Sequence, residues 1–439
     1  PPARSRRRAS RRRAVTGSRG RGRLPAVALV DVRCMFVSVE RVLDPTLVGR
    51  PVIVLSNNDG CAVSRSDEAK ALGVAMGQPW FEIRERPHLD PVIARSSNYE
   101  EFGAFSSRFH ATVATLAAET EIYSVDESFV TLPGLGDPAA AAAEIQARVR
   151  QWTGLPTAAG IGTTKTLAKV GQRQAKADGE TLLDLSGWSR EQVEELLAQT
   201  PVEEVWGIGP RLTRGLAGLG ISTALDLSRY DAGVLRRRWS VVLERTAREL
   251  AGIPCMPVGF TPKARGQLMY ARMLGATVST SAEMRSVLTT YAATAARRLR
   301  AYDLEASLLQ AWLSSSRFGD QPLRHSASVA LDPPTADPLQ LITAAHSVLP
   351  QLREGHPYNR AGILLTGLTA AGSQPLLWGE ADPARLRLAG AVDEVAARFG
   401  KAAIGYGPTG LRSATRWQMR REKLSPAATT NWFQLLTVR

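Results

Sequence analysis

Only three cysteines occur among the 439 residues, Cys34, Cys61 and Cys255. They are too few and too widely spaced for a disulfide framework or a zinc pattern, and they suit a reducing, cytoplasmic compartment. Long apolar runs are equally scarce. The longest informative uncharged stretch, 361–379, has 19 residues but is broken by four glycines, Ser373, Gln374 and Pro375, so no membrane span is expected. Residues 1–24 contain no acid at all, against ten arginines. No apolar core of useful length follows them, which argues against a secretory signal. This Arg-rich tail reads as disordered and solvated. Either it binds nucleic acid by neutralising phosphates, or it is not part of the natural protein. It also holds most of the charge: the formal net charge is +14 for the chain but only +4 outside the tail.

Apolar residues make up 44% of the chain, enough for ordinary cores, and the length suggests about three domains. The chemistry concentrates in Tyr123–Phe129, where Asp126 and Glu127 are adjacent among β-prone residues. Neighbouring strand residues face opposite ways. Two carboxylates can therefore serve one site only where the backbone turns, which places them at the tip of a hairpin. A third acid, Asp31, ends the uniformly apolar run Ala26–Val30, as in a buried central strand whose last side chain emerges at the sheet edge. Three carboxylates meeting there would make a hard-oxygen site suited to Mg²⁺. Either motif alone reads more readily as a solvated turn acid or an unrelated strand-end acid.

Strand Ala26–Val32 leads through Arg33–Glu40 to a turn and a second strand, Val52–Leu55. A helix is expected from Ser66 to Leu72 with acids in its first turn, and Arg65 and Lys70 are the cations near it. Residues 100–118 pattern as an amphipathic helix. Asp137-Pro138 reads as N-cap and first residue of an alanine-rich helix to about Trp152. Strand Thr157–Thr163 and helix Thr164–Ala177 follow, the helix carrying Lys165, Lys169, Arg173 and Lys176, one end of which could reach a polyphosphate at the carboxylates. This order predicts a small antiparallel sheet backed by helices, with a subdomain inserted at 43–100.

Residues 190–252 pattern as helices around Gly207-Ile208-Gly209-Pro210-Arg211. A Gly-x-Gly-Pro hairpin at a helix start presents backbone N–H groups where a phosphate binds, and it resembles a helix-hairpin-helix that grips a DNA backbone. A linker, 253–266, precedes a β-α-β-β-α-β run over 267–368, the element order of a ferredoxin-like unit. Its strands carry or neighbour Arg272, Arg317, Arg324 and Arg360, which suits a surface clamping nucleic acid. The remainder, 369–439, reads as weakly folded partner-docking sequence.

Together these segments resemble the Y-family translesion DNA polymerases, most closely those of the UmuC type. The resemblance spans residues 26–439 and rests on Val30–Val32, Ser56–Cys61, Glu68–Val74, Ser96–Tyr99, Tyr123–Phe129, Lys165–Lys169, Val205–Gly209, Trp417–Met419 and Leu424–Pro426. It implies an α+β right-hand architecture. Residues 25–42 and 101–189 would be a ferredoxin-like palm, 43–100 small fingers, 190–252 the helix-hairpin-helix thumb and 267–368 the little finger. It implies error-prone, template-directed DNA synthesis on primer-template DNA from dNTPs, in an SOS-type damage response. Asp31, Asp126 and Glu127, with the Val32 carbonyl, would hold two Mg²⁺ ions. Phe36 would be the steric gate against a 2′-hydroxyl. The Met35 and Phe36 amides and Arg65, Lys70 and Lys176 would face the triphosphate. Gly207, Ile208, Gly209, Arg211 and Arg272 would contact DNA. Gln374, Leu377 and Trp378 would form a sliding-clamp peptide with Trp378 in place of the terminal Phe, and UmuD′-like and RecA partners are implied.

There are departures. Asp67 and Lys70 stand where much of the wider family has Tyr and Arg, Met35 replaces an aromatic, and Arg33 replaces a small polar residue. Lysine is a point charge and not a planar fork, and Asp67 would repel a triphosphate unless it points away or pairs with Arg65. Two other readings share these residues: a catalytically weak DNA-binding accessory, and a nucleotide cyclase, which the duplex-gripping motifs disfavour.

Overall fold

The computed structural model of the chain describes residues 26–132, 136–259, 265–319, 321–373, 383–400, 403–409 and 415–435. The Arg-rich tail and the peptide with Gln374, Leu377 and Trp378 lie outside the described residues. β1 (Val27–Val32) runs into α1 (Met35–Leu43), followed by β2 (Val52–Leu55), β3 (Ala62–Arg65), α2 (Asp67–Ala71), α3 (Trp80–Arg84), β4 (Ile93–Ser96) and α4 (Tyr99–Ala114). Next come the hairpin β5 (Glu119–Ile122) and β6 (Glu127–Thr131), then α5 (Pro138–Thr153), β7 (Thr157–Gly162), α6 (Lys165–Ala177) and β8 (Leu182–Asp184). Five short helices follow: α7 (Arg190–Gln199), α8 (Pro210–Ala217), α9 (Ala224–Arg229), α10 (Ala232–Arg238) and α11 (Val241–Leu250). The last elements are β9 (Gln267–Val278), α12 (Ser281–Ala301), β10 (Leu304–Ser315), β11 (Arg324–Thr335), α13 (Pro338–Ala345), β12 (Tyr358–Ala370) and α14 (Pro383–Phe399). Helix starts follow local chemistry. Ser66, Asp137 and Thr164 each accept a first-turn N–H, and Pro138 supplies the preset φ of the first turn.

The elements sort into two compact units, one running to Arg33 and resuming over Gly103–Phe260, the other combining Cys34–Phe102 with Thr261–Arg439. In the first, the sheet order is β5-β6-β1-β7-β8, with β1 antiparallel to both neighbours and β8 parallel to β7. Without β8 this is a ferredoxin-like sheet, in which each crossover skips one strand. β1 is central and covered on both faces, so Ala28, Leu29 and Val30 are fully buried, which accounts for its unbroken apolar run. Helices α7–α11 close over a separate core that includes Leu197, Val205, Leu216 and Leu235, joined by Leu167 and Val170 of α6.

In the second unit, β3-β2-β4 form a small mixed sheet and β11-β10-β12-β9 an antiparallel one. The latter has the expected β-α-β-β-α-β chain order but not the strand order of the first unit's sheet. Its second and fourth strands, β10 and β12, are central. They are the more buried pair, with Leu309, Leu313, Ile363 and Leu365 fully buried, whereas β11 alternates exposed and half-buried residues as an edge does. Helix α13 ends at Ala345. It passes into a 3₁₀ turn over His346–Gln351, where Pro350 has no N–H to continue an α-helix. The weakly folded end also differs: α14 is a 17-residue helix, and Trp417 is buried in the core beside Tyr291.

One glycine sets how closely α6 approaches the first sheet. A Cβ on Gly160 would lie 2.0 Å from the Gln172 amide nitrogen and 2.2 Å from the Ala168 carbonyl oxygen. Gly160→Ala should therefore destabilise the first unit by about 3 kcal/mol or more, since backbone must shift to admit the methyl. Urea unfolding against wild type measures the loss, and an unchanged midpoint would contradict this packing.

Candidate active site

The register of the first sheet gathers the three acids. Asp31 sits opposite Glu127 in the β1–β6 ladder, and the Val32 N–H donates to the Asp126 carbonyl at 2.9 Å. Asp126 lies in the turn between β5 and β6, as the hairpin reading requires. The turn is held from inside. The Tyr123 and Ser124 amides donate to the Glu127 carbonyl, and the Ser124 hydroxyl donates to Asp126 Oδ1 at 2.5 Å. Buried His110 of α4 supports both ends of the turn, with Nδ1 2.7 Å from Ser128 Oγ and Nε2 3.0 Å from the Ser124 carbonyl. Burial holds its pKa below the usual histidine value, against the bond to Ser124. No feature of the sequence singled out His110 or Ser124.

Asp31 is not an emergent edge residue. It lies on the central strand and is only 7% exposed. Burial raises its pKa to about 7. The Lys176 charge and hydrogen bond oppose this, and the neighbouring Asp126 and Glu127 add to it. Lys176 Nζ is 2.5 Å from Asp31 Oδ1, Lys169 Nζ is 2.9 and 3.2 Å from the two Glu127 oxygens, and Lys165 Nζ is 2.5 Å from Glu121. These lysines recur at helical spacing on one side of α6. Their spacing was visible in sequence; their partners were not. Lys169 also lies over the Tyr123 and Trp206 rings, at 4.6 and 5.4 Å, and Trp206 Nε1 donates to the Tyr123 hydroxyl. A cleft of about 290 Å³ opens here, lined by Lys169, Arg173, Lys176, Glu204 and Trp206 among others.

Among the described residues no three acid, histidine or cysteine side chains form a ready-made metal cage. The donor chemistry nonetheless fits a hard divalent cation. Every side-chain donor is a carboxylate oxygen, two of the three carboxylates are already satisfied by ammonium groups, and buried Asp31 lacks enough positive charge to ionise at its ordinary pKa.

The other predicted nucleotide residues belong to the second unit. Cys34 takes a left-handed conformation, φ 46°, at the start of α1. Met35 is buried, and Phe36 stacks on Phe102 with centroids 4.5 Å apart and planes 12° off parallel. Asp67 pairs with Lys70 at 2.8 Å and not with Arg65, whose guanidinium donates to the Val74 carbonyl at 2.6 Å. Burial works against the Lys70 ammonium, but the Asp67 bond and the Cys34 thiol 3.4 Å away leave its pKa raised.

The glycine hairpin precedes α8 as expected, with Gly207 at φ 83° and Gly209 as N-cap. Its amides are not all free, because Ile208 N–H donates to the Val205 carbonyl. Arg211 is exposed at the start of α8, and Arg272 is exposed on β9 over the Tyr270 ring. Arg324 and Arg360 flank Trp312 on the same sheet.

The chain matches the impB/mucB/samB family model over residues 30–173 and that family's C-terminal domain over 265–376. Residues 387–438 match a domain of unknown function. Protein UmuC of Salmonella typhimurium is 39% identical over 426 residues, covering 94% of this chain and 100% of the relative. MucB of Escherichia coli is 35% identical over 92% of this chain and 97% of the relative, and DNA polymerase IV of Pelotomaculum thermopropionicum is 29% identical over 86% and 94%. A solved Y-family DNA polymerase chimera superposes with a TM-score of 0.62 at 21% identity, covering 78% of this chain and 98% of the chimera.

Lys176 supplies the largest opposition to the burial of Asp31. Lys176→Met should raise the Asp31 pKa further, so that the carboxyl keeps its proton to a higher pH than in wild type. The ¹³Cγ shift of Asp31 followed across a pH titration reports this, and a fall in the midpoint would disprove the pairing.

Proposed function

The chain belongs to the impB/mucB/samB family and is a DNA-directed DNA polymerase, and from that premise we propose that it performs error-prone translesion synthesis in a damage response of the SOS type. The observation that carries the site assignment is the convergence of Asp31, Asp126 and Glu127 beside the lysine-lined face of α6. The first unit would comprise palm and thumb, and the second fingers and little finger.

Asp31, Asp126 and Glu127, with the Val32 carbonyl, would hold two Mg²⁺ ions. When bound, these would lower the pKa of a primer 3′-hydroxyl and neutralise the triphosphate and leaving pyrophosphate. In the transfer the 3′-oxygen attacks the α-phosphorus in line and pyrophosphate departs. Ser124 and His110 hold the Asp126 turn so that its carboxylate needs little rearrangement to act. Lys176 and Lys169 pair with Asp31 and Glu127 and would turn to phosphate oxygens when substrate arrives. Lys70 would add a further point charge, and its pairing with Asp67 would offset part of the repulsion of that acid. Phe36, fixed by its stack on Phe102, would be the wall that excludes a 2′-hydroxyl. The glycine hairpin with Arg211, and Arg272 on β9, would take the DNA backbone. A sliding clamp at Gln374, Leu377 and Trp378, and UmuD′-like and RecA partners, complete the proposal.

Asp126→Asn should reduce primer extension with Mg²⁺ and four dNTPs by about 10³-fold or more while leaving primer-template affinity nearly unchanged; retained extension would remove Asp126 from the site. Phe36→Ala should raise ribonucleotide incorporation relative to dNTPs by about tenfold or more, and an unaltered preference would remove Phe36 from the gate.

A further inference from the structure

The C-terminal segment that matches a domain of unknown function is stitched into the second unit. At one end, Arg416 forms two hydrogen bonds with Glu283 at 2.7 and 2.9 Å, Trp417 is buried in the α12-side core, and its carbonyl accepts the Gly275 N–H at 2.9 Å. A Cβ at Gly275 would lie 1.8 Å from the Gln418 carbonyl oxygen, so the segment runs directly across β9 there. It then crosses to the three-stranded subdomain. The Arg420 amide donates to Asn58 Oδ1, the Glu422 amide to Asp59 Oδ2 and the Lys423 amide to Ser96 Oγ, while the Ser96 amide donates to the Lys423 carbonyl. Asn58, whose φ of 60° turns it outward, also donates to the Leu274 carbonyl of β9.

The far end satisfies groups that the core cannot. Asn98 is 1% exposed, and its side-chain amide donates to the Ser425 hydroxyl and carbonyl. Glu40 is fully buried, burial pushes its carboxyl up to about 7, and Ser425 donates to it. Glu101 is fully buried on α4 and receives four hydrogen bonds, from the amides and hydroxyls of Thr429 and Thr430. Buried carboxylates and amides left without partners are costly.

We propose that residues 416–430 form an intramolecular brace that fixes the three-stranded subdomain to the four-stranded one, with Glu101 as the lock at one end and Gly275 as the seat at the other. The occupant of the Asn98–Glu101 site is this chain's own C-terminal segment. The brace makes the α1 and α2 residues Phe36 and Lys70 move as one body with the arginine-bearing sheet. This role rests on the segment's own contacts and not on the polymerase reading.

Hydrogen exchange followed by mass spectrometry on the full chain tests it. In wild type, peptides covering 416–430 should exchange at least about 100-fold more slowly than an unstructured chain. Glu101→Ala, and separately Gly275→Val at the opposite end, should each lower protection of 416–430 by about tenfold or more, with β10 and β12 unchanged. Wild-type exchange at the unstructured rate would overturn the brace without any variant. So would a loss confined to the mutated end, because a brace releases as a unit. A wild-type chain that shows this protection but extends no primer would instead count against the polymerase reading alone.

Discussion

A buried carboxylate at the end of a central strand is the constraint on which the first unit turns. β1 must be apolar on both faces to sit mid-sheet, yet its penultimate residue is Asp31, beside two more acids brought in by the β5–β6 hairpin. Such a cluster repels itself and resists ionisation. Lys176 and Lys169 offset this from α6, which Gly160 and Gly162 let press onto β7. Sheet, helix and charge are thus one device, in which a small residue in the packing decides the electrostatics of the site.

The second unit meets a related problem differently. Two of its buried acids, Glu40 and Glu101, are on α1 and α4, where the apolar core offers few donors. Donors arrive from more than 300 residues later in the chain, as the hydroxyls and amides of Ser425, Thr429 and Thr430. A polar segment with little regular structure can hold subdomains together because its bonds at one end are made to the buried carboxylates of Glu40 and Glu101 and the buried amide of Asn98.

Much of the site was legible because its residues obey local rules. Adjacent acids need a turn, an apolar run ending in an acid reads as a buried strand, and Ser66, Asp137 and Thr164 announce their helices. His110 and Ser124 were not legible, since their bonds depend on how α4 lies against the hairpin. Nor was the Asp67–Lys70 pairing, because Arg65 is as near in the chain and turns instead to the Val74 carbonyl. The strand order of the second sheet also escaped, because the β-α-β-β-α-β chain order is compatible with more than one spatial order.

The sequence by itself determined the β-α-β-β-α-β order of 267–368, the helix caps, the hairpin that presents Asp126 and Glu127, and the glycine turn before α8. All of these are set by contacts within a few residues. Tertiary structure decided that Asp31 is buried and neutralised by Lys176, that β10 and β12 lie at the centre of their sheet, and that the C-terminal segment is a structural brace. Each of those depends on desolvation and on partners distant in the chain, which no local pattern of residue types encodes.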